Sequence, residues 1–248
     1  MGQAMPICFC AHQIFKNLLL SFSCMELIKV NKDMKVMYVY AKSTQDASLS
    51  KKALAKLPKS KIYGLVTSIQ HLDQLSKIQK QIPNSIIGGQ TLGCRTENAN
   101  RLKDKVDAFL FIGSGNFHPI KIALTTKKPV YCYNPETQEL SLLSKEIVDE
   151  YEQIQMKQLT GFLAAKNVGI LVTVKTGQHQ LMKAKELKAR GDKNYCLFAF
   201  DTLEIDRLAD FNFIDVWVNT GCNRISDRKL NFVEIDDIFE MYKSSEPK

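Results

Sequence analysis

The sequence lacks the features expected of a membrane-spanning or secreted protein. No stretch of the 248 residues reaches the roughly 18 consecutive apolar residues that a membrane-spanning helix needs. The apolar run from Leu18 to Cys24 is short, and the positive charges expected before the apolar core of a signal peptide are absent. The seven cysteines are odd in number and irregularly spaced, which argues against a disulfide framework. We therefore expect a cytoplasmic protein with reduced thiols and no membrane partner.

Sequence signatures of common catalytic and zinc sites are also missing. No Ser/His/Asp or Cys/His signature of acyl transfer stands out, and no carboxylate-rich metal spacing is present. Cys8 and Cys10 are separated by one residue, which is less than the gap in common zinc knuckles. The net charge of +8 comes mostly from lysines scattered over the predicted helices. This scatter indicates a solvated surface that favours an acidic partner, and no direct nucleic-acid contact is expected.

What the sequence does contain is a regular alternation of apolar strands and helices. This order predicts the α/β class, with tandem small parallel-sheet βα domains and right-handed crossovers. We expect an irregular N-terminal segment at 1–33, an α/β domain at 34–142, a connecting helix at 143–166 and a further α/β domain at 167–248. The predicted strands lie at 34–41, 62–67, 85–88, 107–112, 129–133, 168–174, 195–200 and 213–218. The predicted helices lie at 48–56, 69–81, 97–105, 119–125, 143–166, 178–189 and 203–208.

The two predicted domains also resemble each other in sequence. The segment Gly64-Leu65-Val66-Thr67 is similar to Ile170-Leu171-Val172-Thr173, and Asp107 and Asp215 open similar apolar runs. Each segment of the first domain is separated from its counterpart in the second by nearly the same number of residues, about 106 to 108. An internal duplication of one βα module is the simplest explanation.

Two cysteines are predicted to follow strands directly. Cys94 stands in Gly-Gln-Thr-Leu-Gly-Cys-Arg, and Cys222 stands in Val-Asn-Thr-Gly-Cys-Asn-Arg. Ligands of open α/β sheets bind beyond the carboxyl ends of the strands, so both thiols are expected at a ligand-binding edge. They predict a shared metal or iron–sulfur site, although a thiolate-held cluster normally needs a third cysteine. Cys132 and Cys196 fall inside predicted strands and are expected to be buried.

A glycine-containing loop at Gly113–His118 follows one strand and precedes a helix. Gly-x-Gly before a helix suits phosphate or carboxylate binding, because the backbone N–H groups become approachable and the helix N-terminus favours an anion. The third glycine of the dinucleotide fingerprint is absent, and His118 takes its place. His118 can donate to a bound carboxylate or cap the helix, and the sequence leaves both readings open.

Four spaced motifs resemble one known family. The segments 89–94, 106–119, 128–131 and 215–225 together resemble the diphthamide synthase catalytic subunits, in particular the archaeal 2-(3-amino-3-carboxypropyl)histidine synthases. The resemblance implies three similar α/β domains that each give one cysteine to a 4Fe-4S cluster. It also implies a radical transfer of the 3-amino-3-carboxypropyl group from S-adenosylmethionine to a histidine of translation elongation factor 2.

The resemblance also implies roles for particular residues. Cys94 and Cys222 are the expected metal ligands. The residues expected to bind the substrate are Gly113, Ser114, Gly115, His118 and Arg224.

The sequence departs from the family pattern at its N-terminus. The resemblance implies that most of the first domain is missing from this sequence, and we expect 1–33 to be a remnant of it, with Ser23-Cys24-Met25 at the exit. The Ala-Cys-Pro-Arg pattern of the family is altered here to Gly221-Cys222-Asn223-Arg224. The third cluster ligand is then expected from a separately encoded first-domain chain within a homo- or hetero-oligomer, or from Cys24. The alternatives are a non-enzymatic or degenerate partner subunit of the synthase, and a nucleotide-binding α/β module that uses the Gly113–His118 loop.

Overall fold

The computed structural model describes residues 25–29, 35–39, 41–175, 178, 180–227 and 229–245. Strands β1 (Met25–Lys29) and β2 (Lys35–Val39) form an antiparallel hairpin. This hairpin belongs to one compact unit, Met1–Ser43, and a second unit begins at Thr44. Cys8, Cys10 and Cys24 lie outside the described residues. The domain division expected from the sequence stays a prediction.

The first large sheet has five strands in the order β4-β3-β5-β6-β7. Neighbouring strands are parallel except for β7, which pairs antiparallel with β6. Its strands are β3 (Tyr63–Thr67), β4 (Ser85–Gln90), β5 (Ala108–Ile112), β6 (Val130–Asn134) and β7 (Glu139–Leu142). Its helices are α1 (Lys51–Lys56), a 3-10 helix (Ile69–Gln74), α2 (Leu75–Gln81), α3 (Glu97–Asn100) and α4 (Phe117–Thr126).

The second large sheet has four parallel strands in the order β11-β10-β8-β9. Helix α5 (Lys145–Ala164) precedes it and begins where the Ser144 hydroxyl accepts a hydrogen bond from the Ile147 N–H. The strands are β8 (Asn167–Thr173), β9 (Asn194–Phe200), β10 (Val216–Asn219) and β11 (Phe232–Glu234). The helices are α6 (Leu181–Ala189), a 3-10 helix (Ile205–Asp210) and α7 (Ile235–Ser245). Among the described helices, none is long and apolar enough to cross a membrane.

Both sheets share two local features, a carboxylate that binds the start of a strand and a glycine packed against an aromatic ring. Asp107 accepts a hydrogen bond from the Ile62 N–H at 2.8 Å, and Asp215 accepts from the Asn167 N–H at 2.8 Å. Each carboxylate therefore fixes the start of a neighbouring strand. Gly64 lies flush against the Phe109 ring, and Gly169 lies flush against the Trp217 ring, so an added Cβ would clash in both places.

The cores lie on both faces of each sheet. Strands β3 and β5 are buried at every residue, because α1 and α2 pack on one face while α3 and α4 pack on the other. In the second sheet, α5, α6 and α7 cover one face, and an aromatic cluster around Trp217 covers the other. These two-sided cores place the loops after the strands at the sheet edges.

Several expectations from the sequence need correction. The helix expected at 69–81 is a 3-10 helix followed by α2, and the helix expected at 97–105 is helical only at Glu97–Asn100. Strands β7 and β11 and helix α7 were not expected. Cys132 is buried, as expected, but Cys196 is only half-buried because β9 is an edge strand.

Candidate functional site

Cys94 and Cys222 lie on loops just beyond the carboxyl ends of two strands. Strand β4 ends at Gln90 and β10 ends at Asn219, so each thiol follows its strand within a few residues. Cys94 is exposed overall, yet partial burial of its thiol raises its pKa, and the nearby Cys222 thiol raises the pKa further. The positive charge of Arg95 acts in the opposite direction. The structure therefore brings the two thiols, far apart in sequence, into electrostatic range of each other.

The first turn of α4 contacts both cysteine loops. The Gly93 N–H, next to Cys94, donates to His118 Nδ1 at 2.8 Å. Gly93 also lies against the Phe117 ring, where an added Cβ would come within 2.3 Å of a ring carbon. On the other side, the Arg224 guanidinium lies 4.8 Å from the centre of the same Phe117 ring. Neighbouring residues of one helix thus anchor both loops.

The contact with Gly93 fixes the form of His118. Because Nδ1 accepts a hydrogen bond, geometry assigns the proton of the neutral ring to Nε2. Burial lowers the pKa of His118, and the charge of Arg224 lowers the pKa further. His118 is therefore a neutral ring at pH 7 with one N–H left to donate. The sequence left two roles open for His118, binding a carboxylate or capping its own helix. The observed hydrogen bond joins it to Gly93, outside the helix, so it does not cap α4.

The loop at Gly113–Gly115 differs in one respect from the sequence-based expectation. The Gly113 N–H donates to the Tyr133 carbonyl at 2.9 Å, so it is not available to a ligand. Gly113 and Gly115 adopt φ angles of 150° and 73°, which L side chains rarely adopt. Ser114 and Gly115 are exposed, and an added Cβ at Gly115 would meet nothing within 4 Å. The exposed part of the loop, just before α4, is left as the candidate ligand contact.

Two buried polar side chains below the Cys222 loop were missed by the sequence reasoning. Asn219 Nδ2 donates to the Cys222 carbonyl and to Glu234 Oε1, both at 3.0 Å. Burial raises the pKa of Glu234 to about 7, although hydrogen bonds from Ser226 and Asn219 oppose this. Asn219 could have been predicted from the sequence, because it is a polar residue at the end of a buried apolar strand. Glu234 could not have been predicted, because the apolar run before it, Phe232-Val233, is too short to indicate a strand.

The donor chemistry of the site suits iron. Thiolates are soft ligands that select iron–sulfur clusters and other thiophilic metals. Within the part of the chain that the structure describes, no group of three or more His, Cys, Asp or Glu side chains could hold a metal ion. Cys94 and Cys222 have the donor chemistry that a thiolate-held cluster requires, and the expected alternative ligand Cys24 lies outside the described residues.

Comparison with known families and curated proteins gives consistent matches. Residues 10–231 match the family model described as "Putative diphthamide synthesis protein". The chain is 29% identical over 178 residues to the 2-(3-amino-3-carboxypropyl)histidine synthase of Pyrococcus horikoshii, covering 65% of this chain and 50% of that protein. It is 30% identical over 174 residues to the synthase of Methanocaldococcus jannaschii, covering 68% and 48%. The chain thus spans about half the length of these curated relatives.

A solved structure has the same fold. The crystal structure of Dph2 from Pyrococcus horikoshii with a 4Fe-4S cluster superposes with a TM-score of 0.66 and 22% sequence identity. The match covers 86% of this chain and 65% of that one. At this identity the likeness establishes the α/β fold.

Proposed function

The chain belongs to the diphthamide synthesis protein family, and we propose that it transfers the 3-amino-3-carboxypropyl group of S-adenosylmethionine to a histidine of translation elongation factor 2. The observation that carries this proposal is the convergence of the Cys94 and Cys222 loops on the first turn of α4. The two thiols follow strands of two different sheets, and their loops contact the same helical turn, next to a neutral histidine and an arginine. This arrangement suits a redox-active iron–sulfur group beside a charged substrate.

The proposed ligands of a 4Fe-4S cluster are Cys94, Cys222 and a third thiolate. The third comes from Cys24 or from a separately encoded first-domain chain in a homo- or hetero-oligomer. A cluster with one iron free of protein ligands would supply the electron that breaks a carbon–sulfur bond of the sulfonium substrate. Ligation by Cys94 requires loss of the thiol proton, and because the pKa of this thiol is raised, ligation should strengthen as pH rises.

The remaining site residues are proposed to orient S-adenosylmethionine. Its carboxylate can accept a hydrogen bond from His118 Nε2–H and can pair with the Arg224 guanidinium. Stacking on Phe117 holds Arg224 in place, so less side-chain freedom is lost on binding. Ser114 and Gly115 precede the N-terminus of α4, whose dipole favours a negative group. Gly113 contributes by bending the loop rather than by donating its N–H.

The proposed setting is the cytoplasm, with elongation factor 2 as the protein partner. The net charge of +8 favours an acidic docking surface on that partner.

The test is transfer of the labelled 3-amino-3-carboxypropyl group of S-adenosylmethionine to elongation factor 2, under anaerobic conditions with dithionite as reductant. We expect weak transfer by the chain alone and strong transfer when a separately encoded first-domain chain is added. Cys222→Ser should abolish the transfer, and Cys132→Ser should not. Absence of transfer in the complete mixture would reject the proposed activity.

The same assay tests the alternative of a non-enzymatic partner subunit. In that case the chain would increase the activity of a complete catalytic chain, and Cys222→Ser would support it as well as the original chain does. Robust transfer by the chain alone would retain the activity but remove the need for a separate first-domain chain.

A further inference from the structure

The loop that carries Cys222 is held from below by a buried asparagine. Asn219 ends β10 and is fully buried. Its Oδ1 accepts the Gly221 N–H at 3.0 Å, and its Nδ2 donates to the Cys222 carbonyl at 3.0 Å. One side chain therefore binds the backbone before and after the Cys222 Cα, which fixes the direction of the Cα–Cβ bond that carries the thiol.

A buried carboxyl group holds the asparagine in turn. Glu234 ends β11 and lies directly opposite Asn219 in the parallel pairing of β10 and β11. Its Oε1 accepts from Asn219 Nδ2 at 3.0 Å and also contacts the Ser226 hydroxyl. Ser226 Oγ lies 3.0 Å from the Asn223 carbonyl, further along the same loop. Glu234 thus fixes the amide orientation of Asn219 and the far side of the Cys222 loop together.

The outer end of the loop is fixed from α5. Gln158 Nε2 donates to the Lys229 carbonyl at 2.8 Å and to the Ser226 carbonyl at 3.3 Å. Gln158 is itself buried. The loop therefore has buried side-chain supports at its start, middle and end.

Burying these polar groups is costly in free energy unless each one is hydrogen-bonded. An apolar pair at positions 219 and 234 would pack without that cost but would leave the Cys222 carbonyl and the Gly221 N–H without their side-chain partners. Hydrogen-bonding partners of this kind commonly orient metal ligands and tune their affinity. The Cys94 loop is fixed differently, by a tight turn in which Leu92 and Arg95 exchange backbone hydrogen bonds and by the Gly93–His118 contact.

We propose that Asn219 and Glu234 are positioning residues that hold the Cys222 thiol in the direction required to share a metal group with Cys94. This inference rests on the proposed function, because it presupposes that the two thiols bind one metal group. Neither residue is proposed as a ligand, because Asn219 binds the backbone of the loop and Glu234 binds the Asn219 amide and the Ser226 hydroxyl. We predict that substitutions of Asn219 or Glu234 change the alkylation rate of Cys222 more than that of any other cysteine.

The first measurement is the rate at which iodoacetamide alkylates each thiol of the metal-free protein, followed by mass spectrometry of the peptides. In Asn219→Ala and Glu234→Ala, the Cys222 rate should increase several-fold relative to the Cys94 rate. Glu234→Gln keeps an acceptor oxygen for Asn219 and should retain the original rate. Asn98→Ala is the matched control, because Asn98 supports the other cysteine segment by donating to the Gln90 carbonyl at 2.7 Å. It should leave Cys222 unchanged.

The second measurement uses Cd²⁺ alone as a probe of the thiol pair, followed through its ultraviolet thiolate absorption. The component of binding that disappears in Cys222→Ser reports the shared site. Asn219→Ala and Glu234→Ala should weaken that component by about tenfold, the lower end of the usual effect of such supporting residues. Glu234→Gln should retain the Cd²⁺ affinity of the original chain. Ser226→Ala is the milder substitute if Asn219→Ala fails to fold.

The outcomes separate the two proposals. Unchanged Cys222 alkylation in Asn219→Ala and Ser226→Ala, with only a lower melting temperature, would overturn the positioning role. A Cd²⁺ affinity that these variants leave unchanged would do the same. If Cys222→Ser leaves Cd²⁺ binding unchanged, the shared metal site of the proposed function fails, and the alkylation rates alone then decide the positioning role.

Discussion

His118 accepts the Gly93 N–H at 2.8 Å, and this single bond joins the first turn of α4 to the loop that carries Cys94. The neighbouring Phe117 contacts Gly93 on one side and Arg224 on the other. The two cysteine loops therefore meet on one helical turn, and the position of each depends on the same helix. Because the bond occupies Nδ1, the proton on Nε2 is left for a ligand.

Substitutions of His118 should separate its structural role from its binding role. His118→Phe leaves the buried Gly93 N–H without its acceptor and should lower the free energy of unfolding by about 1–2 kcal/mol. His118→Asn places an amide oxygen near the former Nδ1, so most of the stability should return. Both variants lose the Nε2 donor and should bind S-adenosylmethionine more weakly in calorimetry. If His118→Asn bound the substrate as well as the original chain, the proposed contact would be wrong.

Gly115 offers a test with a closely matched control. Gly115 and Gly191 have φ angles of 73° and 66°, and an added Cβ would meet nothing within 4 Å at either position. Alanine at either position should therefore cost a similar amount of stability, about 1 kcal/mol, from backbone strain alone. Only Gly115→Ala should also weaken S-adenosylmethionine binding, because only Gly115 lies before α4. Equal binding by both variants would remove Gly115 from the site.

The buried Glu234 should make the stability of the protein depend on pH. Its pKa rises from 4.5 to about 7 on folding, with burial as the main cause. Between these values the folded state keeps a proton that the unfolded state has lost. The free energy of unfolding therefore falls as pH rises through this range, by at most about 1.4 kcal/mol per unit of pKa shift.

Urea unfolding at several pH values measures how the free energy of unfolding changes with pH. The stability of the original chain relative to Glu234→Gln should be greater near the acid end of the range than above the folded pKa, and this comparison removes the opposite contribution of His118, whose pKa is lowered. Glu234→Gln should reduce the slope but not abolish it, because burial also raises the pKa values of Asp237 and Glu240. A slope that Glu234→Gln leaves unchanged would show that Glu234 titrates normally.

The sequence predicted most of the strands because their apolar runs are distinct. Strand β5 is a buried run of five apolar residues, and its neighbours in the first sheet have the same character. The positions of Cys94 and Cys222 after strands followed from that reading. Strand β7 escaped prediction because only Leu140 among its four residues is buried, and an exposed strand has no distinct apolar pattern.

Other features depend on pairing that a single sequence does not contain. The contact between Asn219 and Glu234 exists only because β10 and β11 are neighbours. The Gly113 N–H is occupied because the backbone there still pairs with Tyr133 at the end of β6. Cys196 is half-buried because β9 lies at the edge of its sheet, and nothing in its local sequence distinguishes an edge strand from a central one.

The central claim is that Cys94 and Cys222 hold one iron–sulfur group. The most direct measurement is the iron and acid-labile sulfide content after anaerobic reconstitution of the original chain and of single serine variants. Cys94→Ser and Cys222→Ser should each lower the iron content. Cys132→Ser should leave it unchanged, since burial raises the pKa of that thiol to about 12 and keeps it protonated. Equal iron loss in all three variants, or bound nucleotide without iron in the original chain, would contradict the account.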